Sequence, residues 1–383
     1  MAKYKLGDIC EIVSGSTPKT SIEEYWDGDI KWITPAEIND DTYIVTDSVR
    51  KITDLGAKKT GLSPFPEGTV ILSSRAPIGK VAIAGCAMCC NQGFKNLICS
   101  EKILNKYLYW FLKGNTSFLN SLGRGATFKE ISKSIVSQIE INVPDIEYQK
   151  EAVDILEKVS EVISLRKQEL TALDDLIKAR FVEMFGDPVA NPYGYEKVAL
   201  SELAEIKIGP FGSLLHKEDY IEGGHALLNP SHIIDGKVTP DNKLTISAEK
   251  FLELSAYHLK KDDVVLGRRG EMGRCAVVPC DGYLCGTGSL VIRKKGEVTA
   301  DYIQKIISFP SFKKLIEDMA VGQTMPNLNV PIVSNFQIIK PPMGIQNSYY
   351  RFVEQVDKSK VAVQKALDET QRLFDSLMQK YFM

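Results

Sequence analysis

The residues best suited to chemistry are cations that recur at matched places in two halves of the chain. Arg75 and Lys80 lie between two short apolar runs, and Arg268, Arg269 and Arg274 lie between two similar runs later in the sequence. Guanidinium groups held at fixed positions by flanking strands suit phosphate oxygens and base edges in a nucleic-acid groove. Each half then carries a polar loop, with Arg124 and Lys129 in residues 123–129 and Gln323 and Asn327 in residues 322–327. Arg, Gln and Asn form paired hydrogen bonds to guanine or adenine, and the loop glycines let backbone come close to a partner. Further polar groups complete the DNA-contact set. They are Ser16 and Lys19 in residues 14–20, Ser213 and Lys217 at the matching place, Thr34 and His232 at polar turns, and Lys95 after a glycine turn. Solvated hairpins use the same residue types, but the return of Arg75 as Arg269 favours a shared role.

Catalytic signatures are missing. There is no Gly-x-x-x-x-Gly-Lys-Ser/Thr loop for ATP; Gly267, Gly270 and Gly273 lie in the basic connection and do not form one. Asn229-Pro230-Ser231-His232 lacks the second proline and the aromatic residue of a DNA-methylating loop. Pro144-Asp145 and Glu147 sit where a helix begins, a position that favours acids by itself. Cys86, Cys89, Cys90 and Cys99, like Cys275, Cys280 and Cys285, do not supply the two close pairs of a structural zinc site. Cys90 matches Cys285 and reads as packing. His216, His225, His232 and His258 all fall in the second half, so they are not shared catalysts. The expectation is no catalytic residue, no metal and no cofactor.

The elements that position these groups occur twice. Leu6, Glu11, Ile12 and Gly15 recur as Leu200, Glu205, Ile206 and Gly209. Val70, Leu72, Gly79 and Ala82 recur as Val264, Leu266, Gly273 and Ala276. Tyr107, Gly125, Thr127, Pro144 and Gln149 recur as Tyr302, Gly322, Thr324, Pro341 and Gln346. So long a period means two whole domains on one plan. Each half predicts a short amphipathic start, a strand ending in a polar turn, a strand pair and a helix, over about residues 102–120 in one half and 300–319 in the other.

Each half ends in a long helix. Residues 146–185 contain neither Gly nor Pro, and Leu156, Ile163, Leu170, Ile177 and Met184 repeat every seven residues. Gly186-Asp187-Pro188 stops the helix. The second run carries Val353, Leu367 and Phe374 in one register, with Val356, Val363 and Leu377 in the other. Arg166, Arg180, Lys360 and Thr370 interrupt these seams. An antiparallel pairing of the two helices would hide both seams. A 40-residue helix rises roughly 60 Å, which suits a spacer between two readers.

Composition sets the remaining limits. With 25% charged and 44% hydrophobic residues, the chain is ordinary for a soluble protein. No stretch is apolar enough to be a signal peptide or to span a bilayer, and eight cysteines in 383 residues fit a reducing cytoplasm. The net charge of -2 hides an uneven spread. Residues 145–189 hold 6 Lys+Arg against 11 Asp+Glu, whereas residues 1–144 hold 17 against 15. DNA contact would therefore use local clusters on the two large domains rather than bulk basicity.

This order of elements resembles the DNA sequence-specificity subunit of Type I restriction-modification systems, over the full chain. Local signatures agree: Lys5-Leu6-Gly7-Asp8-Ile9, residues 141–144 followed by Glu147-Tyr148-Gln149, residues 180–188 closing the first helix, and Leu373-Phe374-Asp375-Ser376-Leu377. The resemblance implies an α/β (α+β) fold with two similar target-recognition domains, separated by two long helices that form an antiparallel coiled coil, a pseudo-twofold repeat. The expected segments are 1–144 (first recognition domain), 145–189 (central helix), 190–342 (second recognition domain) and 343–383 (C-terminal helix). It also implies a non-catalytic protein that reads a bipartite double-stranded DNA target. Its helices, through Leu156, Ile163, Leu170, Ile177, Val353, Leu367 and Phe374, would hold two methyltransferase subunits, and restriction motor subunits would join for cleavage. The alternative is a two-domain protein–protein scaffold with a coiled-coil spacer and no DNA contact.

Overall fold

A computed structural model describes residues 2–75, 77–125, 129–211, 214–320 and 327–382. The chain divides into two compact units, residues 1–170 with 362–383 and residues 171–361. Both long helices therefore contribute to both units.

In the first unit a one-turn helix, Leu6–Ile9, feeds the strand Cys10–Ser14. That strand pairs antiparallel with Lys95–Cys99, which pairs with Val70–Leu72, which pairs with Val81–Ala84, and Ile44–Val45 closes the edge in parallel. A three-stranded sheet of Arg50–Ile52, Trp26–Ile33 and Cys89–Cys90 completes the domain. The second unit repeats the plan. Leu200–Leu203 leads into Ala204–Ile208, followed across the sheet by Ser289–Lys294, Val264–Gly267 and Cys275–Val277. The central runs of each sheet, Val70-Ile71-Leu72 and Val264-Val265-Leu266, are fully buried, so continuous β-branched and leucine runs specify them.

Each domain is clasped where its chain enters and leaves. Ala2–Lys5 pairs antiparallel with Glu140–Val143, and Lys197–Ala199 with Gln337–Ile339. The long helix starts just past each clasp, at Ile146 and at Met343.

The helix expected over residues 102–120 is two pieces, Asn105–Gly114 and Thr116–Ser121, and its counterpart is Ala300–Ser308 and Pro310–Ala320. In the second copy the proline is the cause, because it forces the residue before it out of helical geometry. Phe309 accordingly sits at φ -67, ψ 138. In the first copy the break falls at Asn115, φ -105 and ψ 22, just after Gly114.

The first long helix runs Ile146–Phe185 and the second Met343–Phe382. Gly186, at φ 72, supplies the left-handed residue that ends the first. In the first unit Ala152, Val153 and Leu156 share a core with Met378 and Tyr381. In the second unit Ile177, Phe181 and Phe185 share a core with Tyr349 and Val356. The start of one helix thus packs with the end of the other, and the end with the start, which is antiparallel pairing. Three of the polar seam residues have partners: Lys360 pairs with Asp174, Arg180 lies 5.5 Å from the Phe352 ring centre, and Thr370 bonds back to the Ala366 carbonyl.

Candidate nucleic-acid interface

One close backbone approach underlies the candidate surface in each unit. A Cβ on Gly15 would lie 2.0 Å from the Asn91 carbonyl oxygen, and one on Gly209 would lie 2.0 Å from that of Gly286. Only glycine fits there, which explains why the position recurs. The turn that follows each strand is stapled by a cation. Lys80 Nζ donates to the Pro35 carbonyl at 2.9 Å, and Arg274 Nη1 to the Pro230 carbonyl at 3.3 Å. The polar loop then returns to the sheet at one shared point. Ile131 N donates to Ser74 O at 3.0 Å, and Leu328 N to Arg268 O at 3.0 Å.

In the first unit Arg75 is exposed, and its Nε lies 2.9 Å from Glu130 Oε2. Lys95, expected as a surface contact, is buried, with Nζ 3.2 Å from Glu130 Oε1 and 3.3 Å from Ser74 Oγ. Burial pushes the Glu130 carboxyl up, but the hydrogen bonds from Arg75 and Lys95 outweigh it and hold the group below its ordinary value. Arg124 and Lys129 are exposed, and Arg124 pairs with Glu130 through backbone N–H groups at 3.0 and 2.9 Å. Lys19 is exposed. Ser16 is half-buried, with its N–H on the Cys90 carbonyl and its own carbonyl accepting from Trp32 Nε1. Thr34 caps a short turn in a reciprocal pair with Glu37, whose carboxylate also accepts from Val49 N.

In the second unit Arg269 is exposed, and Arg268 is half-buried with Nε donating to the Leu328 carbonyl at 3.0 Å. Among the described residues no carboxylate pairs with either. Glu271 is engaged elsewhere, 2.8 Å from Arg274 Nη2 and 2.7 Å from Lys313 Nζ, and these bonds hold its carboxyl below the ordinary value. Lys217 is exposed in the turn Lys217–Asp219. Asn327 is half-buried, and Ser213 and Gln323 lie outside the described residues.

Several expectations need correcting in position. His232 is 4% exposed, with Nδ1 2.7 Å from the Leu227 carbonyl oxygen, and it occupies the capping place that Glu37 holds in the first unit. It shapes the turn rather than facing outward. Thr34, Lys80, Lys95 and Arg274 are likewise committed to holding loops. The helix residues Leu156, Ile163 and Ile177 are buried, and Leu170, Val353, Leu367 and Phe374 half-buried, so they pack inward. The large apolar side chains these helices expose are instead Val162, Leu165, Leu176, Val182, Met343, Val361 and Leu373. The sequence reading missed Glu130 and Glu271, because it sought cations and not the acids that engage them.

All eight cysteines are free thiols, and Cys90 and Cys285 are both buried, their thiols pushed up to about 12 by burial. Among the described residues no three His, Cys, Asp or Glu side chains gather as a metal site, and no helix is long and apolar enough to cross a membrane.

Comparison with known proteins agrees with this architecture. The family described as Type I restriction modification DNA specificity domain matches residues 1–174 and again residues 192–370. The MjaIX specificity subunit of a Type I restriction enzyme from Methanocaldococcus jannaschii is 28% identical, over 98% of this chain and 91% of that protein. The MjaVIII specificity subunit from the same organism is 20% identical over 94% of this chain and 89% of its own length. Among solved structures, the S subunit of a Type I restriction-modification system from M. genitalium shares the fold, with TM-score 0.59, 16% identity, and 100% and 96% of the two chains covered. A chain from a structural study of complex assembly and conformational transition of the type I R-M system matches with TM-score 0.66 and 18% identity, over 99% and 97%. Two matched copies covering most of its length place this chain in the Type I restriction-modification DNA specificity subunit family.

Proposed function

We propose that the chain is the non-catalytic reader of a bipartite duplex DNA target, each recognition domain contacting one half. On this reading Arg75, Arg124, Lys129, Lys19 and Ser16 face DNA from the first domain, and Arg268, Arg269, Asn327 and Lys217 from the second. Lys80, Lys95, Arg274, Thr34 and His232 hold the loops that present them. The observation that carries the reading is the repetition of one device. In both units a cation-bearing strand connection and a polar loop meet at the same backbone bond, Ile131 to Ser74 and Leu328 to Arg268. A phosphate-contacting surface needs such fixed cations, because side chains ordered in advance lose less entropy on binding.

The long helices carry the second half of the proposal, which is docking of two methyltransferase subunits and, through them, the restriction motor subunits. The inward-facing seam holds the helices together, while Leu165, Val361 and Leu373, more than half exposed at 54%, 71% and 52%, remain for partners. Methylation and cleavage then belong to those subunits, in the cytoplasm.

The test is a mobility shift with the methyltransferase present, on duplexes carrying the sites methylated in the host. Exchanging residues 1–144 for the corresponding domain of a relative should change one half of the recognised sequence and leave the other. A change in both halves would refute the assignment of one domain to each half. Failure to retain any duplex would point to a protein scaffold instead.

A further inference from the structure

The duplication provides an internal comparison at the proposed DNA surface. Equivalent positions are fixed by the shared backbone bond, Ile131 N to Ser74 O and Leu328 N to Arg268 O. The residues just before it are Glu130 and Asn327, and those just after its acceptors are Arg75 and Arg269. One unit therefore places a carboxylate against its outward guanidinium, and the other carries a neutral amide at the equivalent chain position. Glu130 keeps 32% of its side chain exposed and Arg75 keeps 45%, so the pair lies at the surface and within reach of a partner. Lys95 is only 9% exposed, and its bonds to Glu130 and Ser74 Oγ anchor the carboxylate from below.

We propose that Glu130 is a positioning residue that keeps Arg75 neutralised against unmatched duplex and yields it only when the first half-site is correctly seated. The proposal rests on the DNA-reading function set out above. A phosphodiester and a carboxylate compete for the same two-pronged guanidinium donor. On random DNA a phosphate gains little by displacing Glu130, because the exchange swaps one anion for another and leaves the carboxylate facing the backbone. On a matched half-site the loop contacts to bases add to the exchange and drive it. Among the described residues the second domain has no such restraint, so Arg269 supplies phosphate attraction to any sequence. Non-specific, salt-sensitive affinity should accordingly come mainly from the second domain, and discrimination against wrong sequence mainly from the first.

The experiment measures binding of the full chain, in complex with its methyltransferase, to matched and unmatched duplexes across a salt series. Glu130→Gln should tighten unmatched binding on the order of tenfold and steepen the salt slope by about one, the signature of one added phosphate contact. It should leave matched binding within about threefold, since the guanidinium is already released there. Adding Arg75→Ala to Glu130→Gln should return the slope to the wild-type value, which a merely structural role for Glu130 would not produce. The mirror variant, Asn327→Glu, should weaken unmatched binding and flatten the slope, and it keeps the idea testable if Glu130→Gln folds poorly. Wild-type binding with no response of unmatched affinity to either variant overturns the clamp alone. Loss of matched binding by Glu130→Gln with a changed base preference also overturns it, by making Glu130 a base reader. A wild-type complex that binds no duplex overturns the DNA reading, and the clamp with it.

Discussion

Replacing Gln149 by Met should loosen the first unit far more than a change of one polar atom pair suggests. Gln149 is fully buried at the start of the first long helix, and all its hydrogen bonds go to backbone. Its Nε2 donates to the Pro144 and Lys102 carbonyls at 2.9 and 3.0 Å, and its Oε1 accepts from Leu104 N at 2.8 Å. Met keeps the length and volume and removes all three bonds. The Leu104 N–H then has no acceptor, at a cost of about 1–3 kcal/mol, and the two carbonyls lose one partner each at a smaller cost. The net loss is about 2–4 kcal/mol, or roughly 4–16 °C in Tm for a unit of this size. Gln346 repeats the arrangement with longer bonds, 3.4 Å to Glu297 O and 3.2 Å from Thr299 N beside 2.9 Å to Pro341 O, so Gln346→Met should cost about 1–3 kcal/mol. The assay separates the units because Trp26, Trp32 and Trp110 all lie in the first. Gln149→Met should move the tryptophan-fluorescence transition in denaturant. A Gln149→Met transition within about 0.5 kcal/mol of wild type would refute the claim that these glutamines fasten helix to domain.

Three further outcomes follow from the packing and charge. Phe185→Ala, which removes a fully buried ring 5.2 Å from Tyr302 and 5.4 Å from Tyr349, should destabilise the second unit by about 3–5 kcal/mol in calorimetry. Lys360→Leu should be neutral or mildly stabilising in the same assay, since the Asp174 pair is partly exposed and contributes less than about 1 kcal/mol while leucine extends the apolar seam. Glu271, held below its ordinary value of 4.5 by Lys313 and Arg274, favours the folded state above that pH, and the contribution fades as acid protonates it. Acid titration of Glu271→Gln against wild type should therefore show a stability gap near neutrality that closes as the pH falls below the ordinary carboxyl value; a gap that widens with acid would reverse the assigned sign.

The long helices were legible because their signal is local and redundant. Forty residues without Gly or Pro, a heptad of Leu156, Ile163, Leu170, Ile177 and Met184, and the Gly186 stop all point one way. The strand pairs were legible for the same reason. The helix over residues 102–120 was overextended because its apolar pattern continues through a break that only backbone geometry reveals, although Pro310 marked the equivalent break in the second copy. The candidate site residues could be chosen from sequence by type, but their partners could not. Nothing near Arg75 in sequence announces Glu130, and nothing local shows that Lys95 is buried or that His232 turns inward to its own backbone. Those facts arise from strand register and loop return, which a linear pattern does not encode.

The two copies also separate what the fold requires from what the proposed DNA target would require. Contacts that build the frame are kept in kind: Gly15 and Gly209 under their turns, Lys80 and Arg274 on Pro35 and Pro230, Gln149 and Gln346 under their helices. Side chains in the loops and turns differ, Glu130 against Asn327, Ser74 against Arg268, and Thr34 with Glu37 against Asn229 with His232. The frame residues bond to backbone carbonyls and N–H groups, whose positions are the same whatever side chains the loops carry. Substitution in the loops therefore leaves the frame's energetics nearly untouched, as expected for sites with no shared partners. A scaffold fastened through its own backbone can change what it reads without relearning how to fold. On that argument, grafting Asn327 and its neighbouring loop residues from a relative should alter the recognised half-site while moving the unfolding midpoint of the second unit by less than about 1 kcal/mol.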